Sequence, residues 1–217
     1  MTSSSKKIWR WGTSVIFFTL AVLFFYQKLC IEEHTWRWVI ALPTLTLAVM
    51  ALRFSRKGGI LIPAALLASA VGDYYGSEGI FLLQVLFFAI AHIFYISDFA
   101  PRRKGTKGRI VAAEIFSAAV AMYVALIISK IPFSINTIAI GLYAIIIIAM
   151  GCSAIFQQRE HRGWYIAAAM LFCFSDGVIA YGFVGEIPHA TLWIMTTYYA
   201  AQFIFAQLAA SRSNQSN

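Results

Sequence analysis

Two aspartates stand inside long apolar runs of this chain: Asp73 in SAVGDYY (Ser69–Tyr75) and Asp176 in LFCFSDGVIAY (Leu171–Tyr181). A charge at the centre of a bilayer costs at least ~2.5–3.5 kcal/mol on insertion scales, so ionisable residues in such runs face a bundle interior or a watery cavity and mark function. A third group follows in FLLQVLFFAIAHIFYISDF, where Gln84, Phe88, His92 and Tyr95 keep the i, i+4, i+8, i+11 rhythm of one helical face. TLWIMTTYYAAQFIFAQLA adds Tyr198, Tyr199 and Gln202 at the middle of its run. Two carboxyls in a low-dielectric pocket can hold one proton between them, leaving one as an acid and the other as a charge that stabilises a cation. An imidazole beside them can orient water or carry a proton.

The elements that must position these groups are membrane helices. The chain has 217 residues, 60% hydrophobic and 12% charged, against about 45–50% and about 25% in soluble domains. Spans of about 20 apolar residues fall at Ile8–Gln27, Trp38–Phe54, Gly59–Tyr75, Gly79–Ser97, Arg109–Ser129, Phe133–Phe156, Gly163–Val184 and Ala190–Ala210. The expected fold is all-α: one polytopic bundle of eight transmembrane helices forming a single domain over 1–217, with a short basic N-terminus at 1–7 and a polar tail at 211–217. No small-residue cleavage site follows the first apolar run, so that run is expected to be a retained helix. On alternate loops, 14 of the 17 lysines and arginines fall on one side, leaving Lys28, Arg37 and Lys130 on the other. That excess marks the cytoplasmic side and places both termini there, as expected of a multi-pass protein of a bacterial inner membrane. The net charge of +8 is thus an orientation signal rather than a nucleic-acid footprint. Cys30, Cys152 and Cys173 form no paired motif.

At ~1.5 Å per residue, Asp73 and Asp176 both sit about 20 Å above the cytoplasmic edge, the matching depth a shared site requires. His92 lies in the inner half of its oppositely directed span, a depth that argues against its meeting both aspartates. Asp98, at the cytoplasmic end of that span beside PRRK, reads as solvated, and Glu114 as an interfacial residue near Arg109. No G-x-S-x-G is present, and Ser175 beside Asp176 makes no triad because helix neighbours point apart. Two aspartates and a histidine could also take zinc or magnesium, or serve as the proton relay of a proton-coupled transporter. A likeness between spans 3–4 and 7–8 keeps the transporter, or a lipid-binding membrane protein, as the alternative.

These residues resemble the YhhN family of integral membrane proteins, whose vertebrate members include lysoplasmalogenase. The resemblance is carried by Ser69, Gly72 and Asp73, by His92 and Tyr95, by Ser175 and Asp176, and by Tyr199, Ala201 and Gln202, in order and each in the right helix of an eight-span chain. It departs at Leu42, before Pro43, where members often carry lysine, and at Gln84, where glycine is common. The resemblance implies hydrolysis of the vinyl ether bond of lysoplasmalogen to a fatty aldehyde and glycerophospho-ethanolamine or -choline, with no metal and no cofactor. The lysophospholipid substrate and membrane lipids are then the partners. Asp73, Asp176 and His92 would be catalytic, with Tyr95, Ser175, Tyr198, Tyr199, Gln202 and Ser69 holding substrate.

Overall fold

A computed structural model describes residues 3–31, 36–101 and 103–215. Arg102 of the basic PRRK cluster, residues 1–2 of the N-terminus and residues 216–217 of the tail lie outside the described residues. Eight α-helices are present among the described residues: α1 (Ser3–Cys30), α2 (Ala41–Gly58), α3 (Leu61–Ser77), α4 (Phe81–Phe99), α5 (Lys107–Ile128), α6 (Ile135–Phe156), α7 (Arg162–Tyr181) and α8 (Ala190–Gln215). One short 3-10 turn, Arg37–Ile40, leads into α2. Six of the eight are long and apolar enough to cross a membrane on length and composition. The other two are α3, which is 17 residues long, and α8, whose middle carries Thr196, Thr197, Tyr198, Tyr199 and Gln202. Both carry candidate residues of the sequence reading, Asp73 on α3 and Gln202 on α8. A bilayer offers the backbone no water, so a spanning chain must satisfy its amides within helices, and this protein does.

Helix ends differ from the sequence expectation by a few residues, each with a local cause. The sixth helix starts at Ile135 rather than Phe133, because Ser134 caps it, accepting from the Thr137 amide at 3.3 Å, while the Thr137 hydroxyl donates to the Pro132 carbonyl at 2.8 Å. The eighth runs on to Gln215 instead of ending near Ala210, since nothing in ASRSNQ forbids helix. The seventh stops at Tyr181 rather than Val184, where Gly182 and Gly185 flank a turn before Pro188.

The chain divides into two compact units, residues 1–91 with 205–217, and residues 92–204. In the first, α2 packs against α1 and α3. Small residues let α3 approach α4: Gly72 lies under the Phe88 ring and Gly76 under the Gln84 side chain, both within about the reach of a missing Cβ, as small-xxx-small packing requires. Arg10 donates from Nε and Nη2 to Gln207 Oε1 (3.1 and 2.6 Å), and Gln207 donates to Ser14 at 3.0 Å, tying α1 to the end of α8.

In the second unit α6 packs against α5 and α7, with Gly151 lying against the Phe116 ring. The connections beside these helices are knit by main-chain bonds. Arg103 and Gln157 form an isolated antiparallel bridge, the Lys104 amide donates to the Phe156 carbonyl at 2.9 Å, and Arg109 donates to that carbonyl at 3.1 Å. Asp98 corrects the sequence expectation. It is not solvated but buried, paired with Arg159, whose Nη2 also donates to the Asp98 carbonyl at 2.6 Å. A carboxylate in the last turn of a helix is exposed only if no cation reaches over it, and here the connection after α6 brings one. Glu114 is exposed on α5.

Candidate active site

Asp176 is set by the register of α7. Phe172, Ser175 and Asp176 are all buried, an i, i+3, i+4 stripe on one face, while Phe174 is turned outward and exposed. On α4, His92, Tyr95 and Phe99 are fully buried along a second stripe. The two stripes meet. Nε2 of His92 lies 3.9 Å from Oδ2 of Asp176, and the His92 ring sits edge-on to Phe172 at 4.5 Å between centroids.

His92 thus reaches Asp176, one of the two aspartates, which an expectation against its meeting both had left open. Every Cα–Cβ bond tilts toward its helix N-terminus. Because α4 and α7 run in opposite directions, the imidazole and the carboxylate lean toward one another.

The third member is one that sequence reasoning did not single out. Tyr143, on α6, donates its hydroxyl hydrogen to Asp176 Oδ2 at 2.8 Å. The Tyr143 hydroxyl oxygen also stands 3.3 Å from Nδ1 of His92, and the two rings are edge-on at 5.4 Å. One signal for it was available: Tyr143 is the only side chain with a hydrogen-bonding group in the run Ile138–Met150.

The remaining candidates of this unit extend the cluster. Tyr95 donates to Gln202 Oε1 at 2.6 Å, both side chains fully buried. Tyr198 lies against Phe172 at 5.3 Å and against Tyr199 at 5.6 Å. Ser175 is buried one residue before Asp176. The geometry gathers the Asp176 carboxyl, the His92 imidazole and the Tyr143 phenol, with the Gln202 amide and three further phenols, Tyr95, Tyr198 and Tyr199, buried in the same unit.

Asp73 belongs to the other unit. It is buried at 3% exposure, and Thr44 on α2 donates to its Oδ2 at 2.9 Å. Thr44 is a second residue the sequence reading passed over, since hydroxyls in apolar helices are common as local backbone-bonders. Ser69, one turn before Asp73 on α3, is fully buried, and its hydroxyl has no hydrogen-bond partner among the described residues. Among the described residues no three His, Cys, Asp or Glu side chains gather as a metal-ligand group.

Helices long and apolar enough to span, with ionisable and phenolic side chains buried among them, define a polytopic all-α membrane protein with an internal polar site. The chain belongs to the YhhN family, whose sequence model matches residues 34–209. It is similar to lysoplasmalogenase TMEM86B of Homo sapiens, 34% identical over 198 residues that cover 87% of this chain and 82% of that protein. The TMEM86B lysoplasmalogenase of Sus scrofa is 33% identical over 92% of this chain and 86% of its own. Lysoplasmalogenase TMEM86A of Homo sapiens is 30% identical over 69% of this chain and 65% of its own length. No solved structure matches the chain.

Proposed function

We propose that this protein is a membrane-embedded hydrolase that cleaves the vinyl ether bond of a 1-alkenyl lysophospholipid, releasing a fatty aldehyde and a glycerophospho-alcohol. The likeness to lysoplasmalogenases over most of the chain supports the reaction class. The observation that carries the site is the buried contact of Asp176 with Tyr143 and His92. Membrane residence suits such a substrate, whose single chain can stay among apolar helices while its head enters a polar pocket. The reading takes residues 1–217 as one functional domain of a bacterial inner membrane.

Vinyl ether hydrolysis starts with a proton on the outer alkene carbon and passes through an oxocarbenium ion. Asp176 is the proton donor of this proposal. The Tyr143 hydroxyl directed at Oδ2 stabilises the carboxylate that donation leaves, and that carboxylate faces the cation. His92 is proposed to orient the water that adds next. Tyr95 and Gln202 form the polar wall proposed to hold glycerol oxygens, with Tyr198, Tyr199, Ser175 and Ser69 as further substrate contacts. Asp73 is proposed as the second carboxyl of the reaction, an assignment that rests on its motif and on its burial with Thr44.

The test is aldehyde release by the detergent-purified protein from a 1-alkenyl lysophospholipid, with the saturated 1-alkyl lysolipid as control. Aldehyde is expected from the vinyl ether alone. Asp176→Asn is expected to lower kcat by about 10²–10⁴-fold, the usual contribution of general acid–base catalysis, and Asp73→Asn likewise. A folded wild-type protein that releases no aldehyde, but moves protons across a liposome bilayer, refutes the hydrolase and favours a transporter.

A further inference from the structure

Tyr143 has one hydroxyl hydrogen, and the geometry commits it to Asp176 Oδ2 at 2.8 Å. The other neighbour of the phenol oxygen is Nδ1 of His92, at 3.3 Å. With the phenol hydrogen directed at the carboxyl, that contact is a hydrogen bond only if Nδ1 carries a hydrogen and donates it. His92 is then the Nδ1–H tautomer, and Nε2 holds the basic lone pair. Nε2 lies 3.9 Å from Asp176 Oδ2, too far for a direct bond and a fitting separation for one water in contact with both. The His92 ring is buried edge-on against Phe172, Tyr95 and Tyr143.

We propose that Tyr143 is a positioning residue that sets His92 as the base toward water and closes a proton path between His92 and Asp176. This deepens the hydrolase reading above and rests on it for its substrate. The proton balance closes over a full cycle. Asp176 first gives the proton on Oδ1 to the outer vinyl carbon, as the alkene π pair forms the new C–H bond and an ether lone pair forms the oxocarbenium. Water then bonds to the cationic carbon while Nε2 takes its proton. Nδ1–H passes to the Tyr143 oxygen, and the phenol hydrogen moves to Oδ2 of Asp176. In the second half the path runs backward. Nε2–H goes to the glycerol oxygen as its bond to carbon breaks, and Asp176 collects the hydroxyl proton of the hemiacetal carbon on Oδ1. One water is consumed, and one aldehyde and one alcohol leave.

The first readout needs no substrate: ¹⁵N NMR of histidine-labelled protein, with the His92 signals assigned by their loss in His92→Gln. Wild type is expected to show a protonated Nδ1 and a bare Nε2, and Tyr143→Phe is expected to lose that state. In the aldehyde assay Tyr143→Phe is expected to lower kcat by about 10²-fold or more with KM unchanged. A wild-type His92 protonated at Nε2, or a Tyr143→Phe enzyme with wild-type kcat, overturns the proposal. Should Tyr143→Phe not fold, 3-fluorotyrosine at position 143 keeps ring and hydroxyl while making the phenol a stronger acid. The kcat pH profile is then expected to move, and an unmoved profile overturns the proposal. Because the tautomer is read without substrate, a wild type that makes no aldehyde counts against the hydrolase reading alone.

Discussion

The ion pair of Asp98 and Arg159 lends itself to a quantitative test. Asp98 closes α4 with 5% of its surface exposed, and the Arg159 side chain is 15% exposed, so solvent screening discounts the pair little. Arg159 serves Asp98 twice, through Oδ2 and through the main-chain carbonyl at 2.6 Å, and its guanidinium lies 6.0 Å from the Tyr165 ring centroid. Removing one partner of a buried pair typically costs about 3–5 kcal/mol, because the other is left charged and unsatisfied, whereas removing both is often neutral. Arg159→Met is therefore expected to destabilise the protein by about 3 kcal/mol, roughly 150-fold in the unfolding constant. Asp98→Leu should cost less, since the longer Arg159 side chain can turn to water. The double variant should sit nearer wild type than the sum of the singles, with a coupling of at least about 1.5 kcal/mol. Equilibrium unfolding in mixed SDS micelles, followed by tryptophan fluorescence, measures all four proteins. Singles within about 0.5 kcal/mol of wild type, or a double variant that is simply additive, would refute the argument that burial makes this pair interdependent.

Two further outcomes follow from packing and hydrogen bonding. A Cβ at position 151 meets the Phe116 ring well inside contact distance, so Gly151→Ala should destabilise by about 1–3 kcal/mol through overpacking, and the same unfolding assay should show Phe116→Leu restoring part of the loss. Thr44→Val removes the hydroxyl that donates to buried Asp73 while keeping its shape, and is expected to lower stability by about 0.5–1.5 kcal/mol, the usual net contribution of a hydrogen bond. Lower stability with unchanged aldehyde release would separate a structural Asp73 from a reacting one, while a fall in kcat would support its catalytic assignment.

Which segments become helix was determined by the sequence, since apolar runs of spanning length leave the backbone no alternative inside a bilayer. The candidate residues stood out for the same reason: Asp73, His92, Tyr95, Ser175, Asp176 and Gln202 are polar where burial is unavoidable, and all six are buried. Which of them touch was decided by tertiary structure. A helix that is apolar all round has no face that announces its neighbour, so α6 gave no sign that Tyr143 points at Asp176. Residue counting set His92 and Asp176 at different depths but left open whether they touch, because it measures Cα positions and omits the lean of side chains toward their helix N-termini. The burial of Asp98 and the partnership of Thr44 with Asp73 likewise depend on a second segment arriving from elsewhere in the chain. Local periodicity fixes how a helix is made, but rotation and approach between helices are settled only by the summed packing of both surfaces.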